Sequence, residues 1–207
     1  ALPLFRTLKN RNGEATTLNN IGLQYSYLGE NRKALEYYQQ ALPLVRAAGD
    51  RGGQATSLNN IGRVYSDSGE KQKALEYYQQ ALSLLRTVGN RSAEANTLGN
   101  LADLERKHNN LEASRQYIET AIQIVEELRS TYTDQDLKSQ YFATAQVYYK
   151  FYINLLMELD RKNPGKNYAE LAFNTSERSR ARGLIELLAQ ANAKLSKNTD
   201  PKLLSQE

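Results

Sequence analysis

The stretch Leu18-Asn-Asn-Ile-Gly-Leu-Gln-Tyr25 returns forty residues later as Leu58-Asn-Asn-Ile-Gly-Arg-Val-Tyr65, and once more, with greater change, as Leu98-Gly-Asn-Leu-Ala-Asp-Leu-Glu105. Written in blocks of forty, Ala1–Gln40 and Ala41–Gln80 agree at 26 positions without a gap. Shared composition does not produce such agreement. A period of this length means one supersecondary unit copied along the chain, each copy burying its apolar face against the next.

Inside a block the spacing describes two helices. Leu18, Ile21, Gly22 and Tyr25 fall at i, i+3, i+4 and i+7 and form one apolar face; Ala34, Tyr38, Ala41 and Val45 do the same for a second helix. Between them Gly29-Glu30, repeated as Gly69-Glu70, offers a residue that takes positive φ and ends a helix; the third unit has Asn109-Asn110 there. Asn10, Asp50 and Asn90 follow the second helices, with side chains suited to accept from the free amides of the next helix start. Each block reads as a helical hairpin.

These residues resemble a known pattern. Leu18, Ile21, Gly22, Tyr25, Ala34, Tyr38 and Ala41, with Leu58, Ile61, Gly62, Tyr65, Ala74, Tyr78 and Ala81, match the tetratricopeptide repeat. Leu98, Leu101, Ala102, Ser114, Ile118 and Ala121 keep its large and small sizes in the third unit, where Glu105 replaces a tyrosine. The resemblance implies an all-α fold, a right-handed superhelical solenoid of antiparallel hairpins. The usual unit has 34 residues. The six extra residues follow Ala41 and Ala81, and would lengthen the second helix or its exit by about 9 Å.

The expected organisation is a repeat array over 1–130, with a half repeat at 1–12 and full repeats at about 13–50, 51–90 and 91–130. An atypical hairpin then spans 131–193, and a tail or linker 194–207. Ala1 aligns with Ala41 in the middle of a second helix, which predicts a fragment of a longer protein. Leu2, Leu4, Phe5 and Leu8 then either form an exposed edge that invites self-association or pack forward onto the first full hairpin. Pro43 lies inside a second helix and predicts a bend there, because its ring removes one backbone bond.

Composition narrows the function classes. No run of the 207 residues approaches the roughly 18 apolar residues of a membrane span, and the expected location is cytoplasmic. There is no cysteine, so no disulfide or thiolate chemistry, and His108 stands alone in a polar turn. No catalytic, metal or cofactor constellation is present; the expectation is no enzyme, no cofactor and no metal. The net charge of +4 is mild and of mixed sign. Arg11, Arg51 and Arg91 form one ladder and Arg6, Arg46 and Arg86 another, but neither carries interleaved aromatics for stacking bases, so nucleic acid is not expected. Solvated ion pairs with Glu14, Asp50 and Glu94, or a basic rail for an acidic partner, are the two readings of these ladders.

From Tyr132 the forty-residue rule lapses. The stretch 136–160 is helix-periodic and aromatic, through Tyr141, Phe142, Tyr148, Tyr149, Phe151 and Tyr152, and breaks at Asn163-Pro164-Gly165. Its aromatic stripe is either core or a pocket. Ala169, Phe173 and Ser176 repeat the second-helix signature, with Ile153, Leu156 and Met157 as the opposing face. Within Ser176–Leu188, Arg178 and Arg182 share one helix face, while Leu184, Leu187, Leu188 and Ala191 line another. This segment resembles the helix that follows the repeats in bacterial, especially cyanobacterial, TPR-CHAT proteins. The resemblance implies repeats that recruit or sense a partner for a caspase-like domain, with no catalytic dyad in this chain.

The resemblance also implies a partner-binding groove along the first helices, opposite their core contacts, taking a protein or peptide segment. By position it comprises Thr16, Asn19, Asn20, Leu23, Ser26 and Tyr27; then Thr56, Asn59, Asn60, Arg63, Ser66 and Asp67; then Asn96, Asn100, Asp103, Arg106 and Lys107. Asn20, Asn60 and Asn100 recur at one position. A carboxamide both donates and accepts, so the row either reads the backbone of an extended ligand or bonds within the repeats.

Overall fold

The computed structural model describes residues 2–8, 10–131 and 135–198. They are all-α, with no strand among the described residues: α1 (Leu2–Thr7), α2 (Arg11–Tyr27), α3 (Asn31–Ala47), α4 (Arg51–Asp67), α5 (Lys71–Val88), α6 (Arg91–Lys107), α7 (Leu111–Thr131), α8 (Gln135–Lys162) and α9 (Tyr168–Asn198). Two compact units result, residues 1–121 and 122–207, with α7 divided between them.

In the first unit, short-range chemistry sets each turn. Asn10 accepts from the Gly13 amide at 2.9 Å, Asp50 from Gly53 at 2.8 Å and Asn90 from Ala93 at 3.1 Å, which caps α2, α4 and α6. The chain reverses between α2 and α3, and between α4 and α5, through Gly29 and Gly69 at φ 74° and 77°. Asn109 takes the same role between α6 and α7 at φ 64°, a conformation asparagine tolerates better than most side chains.

Packing then follows the large-against-small rule. Ala15, Leu18, Ala41 and Val45 close the first hairpin, and Ala55, Leu58, Ala81 and Leu85 the second. Ala34 and Tyr38 meet Ile61 and Val64 across the joint between them, and Leu42 touches all three clusters. Each fully buried Leu or Ile contributes about 1.5–3 kcal/mol. A Cβ built on Gly22 would stand 2.7 Å from the Tyr38 ring, and one on Gly62 2.8 Å from Tyr78. The third hairpin makes the opposite choice: Ala102 carries the methyl, and buried Ile118 stands at the tyrosine position. The added residues after Ala41 and Ala81 are helical, and α3 runs through Pro43 to Ala47 without ending. Phe5 packs forward against Gly13, whereas Leu4 and Leu8 are exposed; the Leu2 and Arg6 side chains lie outside the described residues.

In the second unit Ile124 and Val125 of α7 join a core with Ala145, Tyr149, Tyr152, Leu155, Leu156 and Leu159 of α8 and Tyr168 and Ala172 of α9. Tyr149 donates to Glu126, Arg182 pairs with Glu126, and Ser179 and Gln146 exchange hydrogen bonds of 2.9 and 3.2 Å. Of the aromatic stripe, Tyr149 and Tyr152 are core, while Tyr141, Phe142, Tyr148 and Phe151 are half-buried.

Three expectations need correction here. Ala169 and Phe173 are exposed, and the buried row of α9 is Tyr168, Ala172, Thr175 and Ser179. A shift of one residue turns a helix by about 100°, and the phase is set by Asp160 accepting from the Ala169 amide. Met157 also faces outward, as do Leu184, Ile185, Leu187 and Leu188, so the apolar face of Ser176–Leu188 has no partner among the described residues. Finally, α9 continues to Asn198, so 194–198 are helical; 199–207 lie outside the described residues.

Candidate functional site

α4 packs against both α2 and α6, so the first helices of the three hairpins lie side by side. Their open face carries Thr16, Asn20, Tyr27, Thr56, Asp67, Asn96 and Lys107 exposed, with Leu23, Ser26, Asn59, Asn60, Arg63, Asn100, Asp103 and Arg106 half-buried. Asn19 and Ser66 do not belong to that open face, because both are buried. Asn19 donates to the Ser57 hydroxyl at 2.9 Å, and Ser57 donates to the Gly53 carbonyl at 3.0 Å, so Asn19 ties α2 to α4. Asn100 likewise turns inward along the row, donating to Asn59 at 3.0 Å and Asn96 at 3.4 Å. Among the described residues, Asn20 and Asn60 form no such side-chain bond.

The charges on this face differ between its two joints. At α2 and α4 the Arg63 guanidinium lies 5.3 Å from the ring centroid of Tyr27, with no acid paired to it among the described residues. At α4 and α6, Lys107 bridges Asp103 at 2.8 Å and Asp67 at 3.4 Å. Beneath the face, burial raises the pKa of both tyrosines at the hairpin cores. For Tyr38 the nearby Arg63 charge partly opposes that rise, and for Tyr78 the Asp67 carboxylate adds to it.

Two residues were missed as structural centres. Glu94 is 3% exposed and receives Arg86 at 2.9 Å and Arg91 at 2.7 Å. Glu105 is 6% exposed and receives Lys71 at 2.8 Å and Asn110 at 2.6 Å. The third rung of the arginine ladders thus pairs with Glu94 as expected, but the carboxylate is buried while both arginines stay partly exposed. The signal was available: Lys71 stands where the first repeat has Asn31, and Glu105 where it has Tyr25.

In the second unit a groove of about 270 Å³ is lined by Gln146, Lys150, Ile153, Asn154, Ser176, Ser179 and Arg180, without an aromatic side chain. His108 caps the end of α6. Among the described residues no cluster of His, Cys, Asp and Glu could hold a metal, and no helix is long and apolar enough to cross a membrane.

Two family models, both described as tetratricopeptide repeat, match residues 13–87 and 95–130, together more than half of the chain. No curated protein matches. Among solved structures, BtubC (BKLC) from P. vanneervenii is similar at 23% identity and a TM-score of 0.57, covering 82% of this chain and 64% of that one. A Podosopora anserina putative kinesin light chain with nearly identical TPR-like repeats is similar at 15% identity and a TM-score of 0.50, covering 89% and 97%. At these identities the likeness is one of fold, a solenoid of stacked helix hairpins, and the chain spans about two thirds of BtubC (64%). Repeats of this kind are generally protein-protein interaction scaffolds. Copied hairpins, glycine-on-tyrosine packing and the matched family models agree: this chain belongs to the tetratricopeptide-repeat family.

Proposed function

We propose that the chain is a non-catalytic interaction scaffold, and that the open face of α2, α4 and α6 takes a peptide or helical segment of a partner protein. The observation that carries this is the exposure of polar and aromatic side chains, Asn20, Tyr27, Thr56 and Asn96 among them, that neither core nor cap employs. The free carboxamides of Asn20 and Asn60 can each give and receive a hydrogen bond, which suits main-chain contact with an extended segment. Such a scaffold fits the recruiting or regulatory region of a larger bacterial protein.

The test is selection of binding peptides from a phage-displayed library of random linear peptides on the whole chain. Their affinity is then measured on a variant with Asn20→Ala and Asn60→Ala, and on one with Gln39→Ala and Gln79→Ala, exposed positions of the second helices. Weaker binding to the first variant alone supports the face. Equal loss on both, or loss on the second alone, removes it.

A second reading rests on the exposed Leu184, Ile185, Leu187 and Leu188 of α9, an apolar row suited to a regulatory contact with a further domain such as a caspase-like one. Leu4 and Leu8 on α1 are the corresponding candidates for self-association, and Leu4→Glu with Leu8→Glu would abolish a dimer seen by analytical ultracentrifugation.

A further inference from the structure

In the second unit α8 and α9 do not close on each other along their whole length, as the repeated hairpins do. The first hairpin meets through Ala15, Leu18, Ala41 and Val45. On α8, by contrast, Gln146, Lys150, Ile153 and Asn154 fall at i, i+4, i+7 and i+8, a single stripe that lines one groove with Ser176, Ser179 and Arg180 of α9. Long polar side chains opposite short hydroxyls leave space between the helices. That space is the groove of about 270 Å³.

Two of the lining residues consume each other. The Ser179 hydroxyl donates to the Gln146 carboxamide oxygen at 2.9 Å, and the Gln146 amide donates to the Ser179 carbonyl at 3.2 Å, which ties the helices together. The other polar groups are unspent. Thr175 returns its hydroxyl to the Leu171 carbonyl at 2.7 Å, but the half-buried Ser176 makes no such bond among the described residues. The Asn154 carboxamide and the Lys150 ammonium likewise have no side-chain partner there. Arg180 holds Glu177 of its own helix at 3.0 Å, in an exposed pair, and no acid is among the lining residues.

The ligand that suits this groove follows from its chemistry. Lys150 and Arg180 bring two positive charges from opposite walls, and an anion between them is attracted by both while screening their mutual repulsion. Together with Ser176 and Asn154 they present more N–H and O–H donors than one carboxylate accepts. A phosphate monoester carries a charge of about −1.5 to −2 at neutral pH and three strong acceptor oxygens, which matches both the charge and the donors. The planar guanidinium fork suits a phosphate in particular. Ile153 offers the one apolar surface of the lining to an ester group. At about 270 Å³ the groove falls just below the roughly 300–1,000 Å³ of ordinary small-molecule sites, so the ligand is compact.

We propose that the groove between α8 and α9 binds a small phosphate monoester. Its phosphoryl oxygens lie between Lys150 and Arg180, with Ser176 and Asn154 donating to them, and its ester group rests on Ile153. Glu177 is a built-in competitor, holding Arg180 until the larger charge of the ligand replaces it. The inference is independent of the open face of α2, α4 and α6.

Phenyl phosphate is the probe, titrated into the isotope-labelled whole chain and followed by heteronuclear NMR. Saturable shifts are expected at the amides around Gln146–Asn154 and Ser176–Arg180, with half-saturation below about 1 mM. Lys150→Gln should weaken binding about tenfold, and Glu177→Gln should strengthen it a few-fold by freeing Arg180; both positions are exposed, so neither change threatens the fold. Phenyl sulfate, with the same ring and a single charge, should bind more weakly. Ile153→Ala should weaken phenyl phosphate more than inorganic phosphate. Unchanged affinity with Lys150→Gln, weaker binding with Glu177→Gln, or equal binding of the sulfate overturns the proposal. So does an unsaturated drift spread over the lysines and arginines of both units, which marks charge screening alone. A short phosphoserine peptide is the second arm: if it binds more tightly than phenyl phosphate, the phosphate belongs to a partner protein and the small-molecule site falls.

Discussion

At the scale of the residue, the fold turns on how closely a helix backbone approaches a ring. Alanine in place of glycine inside a helix normally gains about 1 kcal/mol, so the sign of the change is diagnostic. Gly22→Ala should destabilise, because its methyl meets the buried Tyr38 ring at 2.7 Å and overpacking costs about 1–3 kcal/mol. Gly52→Ala should not, since its nearest neighbour is the Asp50 carboxylate at 3.5 Å. Urea denaturation of both variants measures the difference. Adding Tyr38→Ile to Gly22→Ala recreates the Ala102 and Ile118 arrangement, and the two changes together should cost less than their sum. Simple additivity would refute the size exchange. Gly22 opposite Tyr38 was legible in the sequence because the pattern repeats, and so was Glu94 as a partner of the arginine ladders; the burial of that carboxylate and the Lys71–Glu105 pair were not, because they show only once neighbouring hairpins are joined.

At the scale of the element, turns and caps are the most local features and were the most readable. Asp50→Ala removes the side chain that holds the Gly53 amide and should lower stability by about 0.5–2 kcal/mol, while Asn109→Gly, at φ 64°, should be neutral or slightly stabilising; thermal melts separate the two. The register of α9 was not readable. Its decoy signature, Ala169, Phe173 and Ser176, copies the repeat, yet the phase of the helix is fixed by the turn after Gly165 and by Asp160, both set by tertiary placement. In α8, burial pushes the Tyr148 hydroxyl up to about 12, above the ordinary value of about 10. A raised folded value means that the stability from the neutral phenol is complete below pH 10 and is lost as pH rises through 12. Ultraviolet titration of Tyr148→Phe against the parent should show one fewer tyrosine ionising near pH 12, and the variant should lose less stability over that window.

At the scale of the whole molecule, stability in a repeat array is close to a sum of hairpin and joint contributions. α4 packs against α2, α3, α5 and α6, whereas α1 packs at the end of the array on α2. Hydrogen exchange followed by mass spectrometry should therefore find the slowest amides in α4 and α5, with α1 exchanging fast. Equal protection throughout the first unit would mean that its hairpins unfold as one body. The buried carboxylates add a directional element to this otherwise periodic design. Glu94 and Glu105 face cations supplied by the preceding hairpin, Arg86 and Lys71, where the equivalent positions one repeat earlier hold Gln54 and Tyr65 for the carboxylates and Arg46 and Asn31 for the cations. Hairpins that look interchangeable are thus addressed: a gene with the third copy moved ahead of the second would leave Glu105 facing an asparagine. Duplication could lengthen such an array, but shuffling could not reorder it without stranding a buried charge.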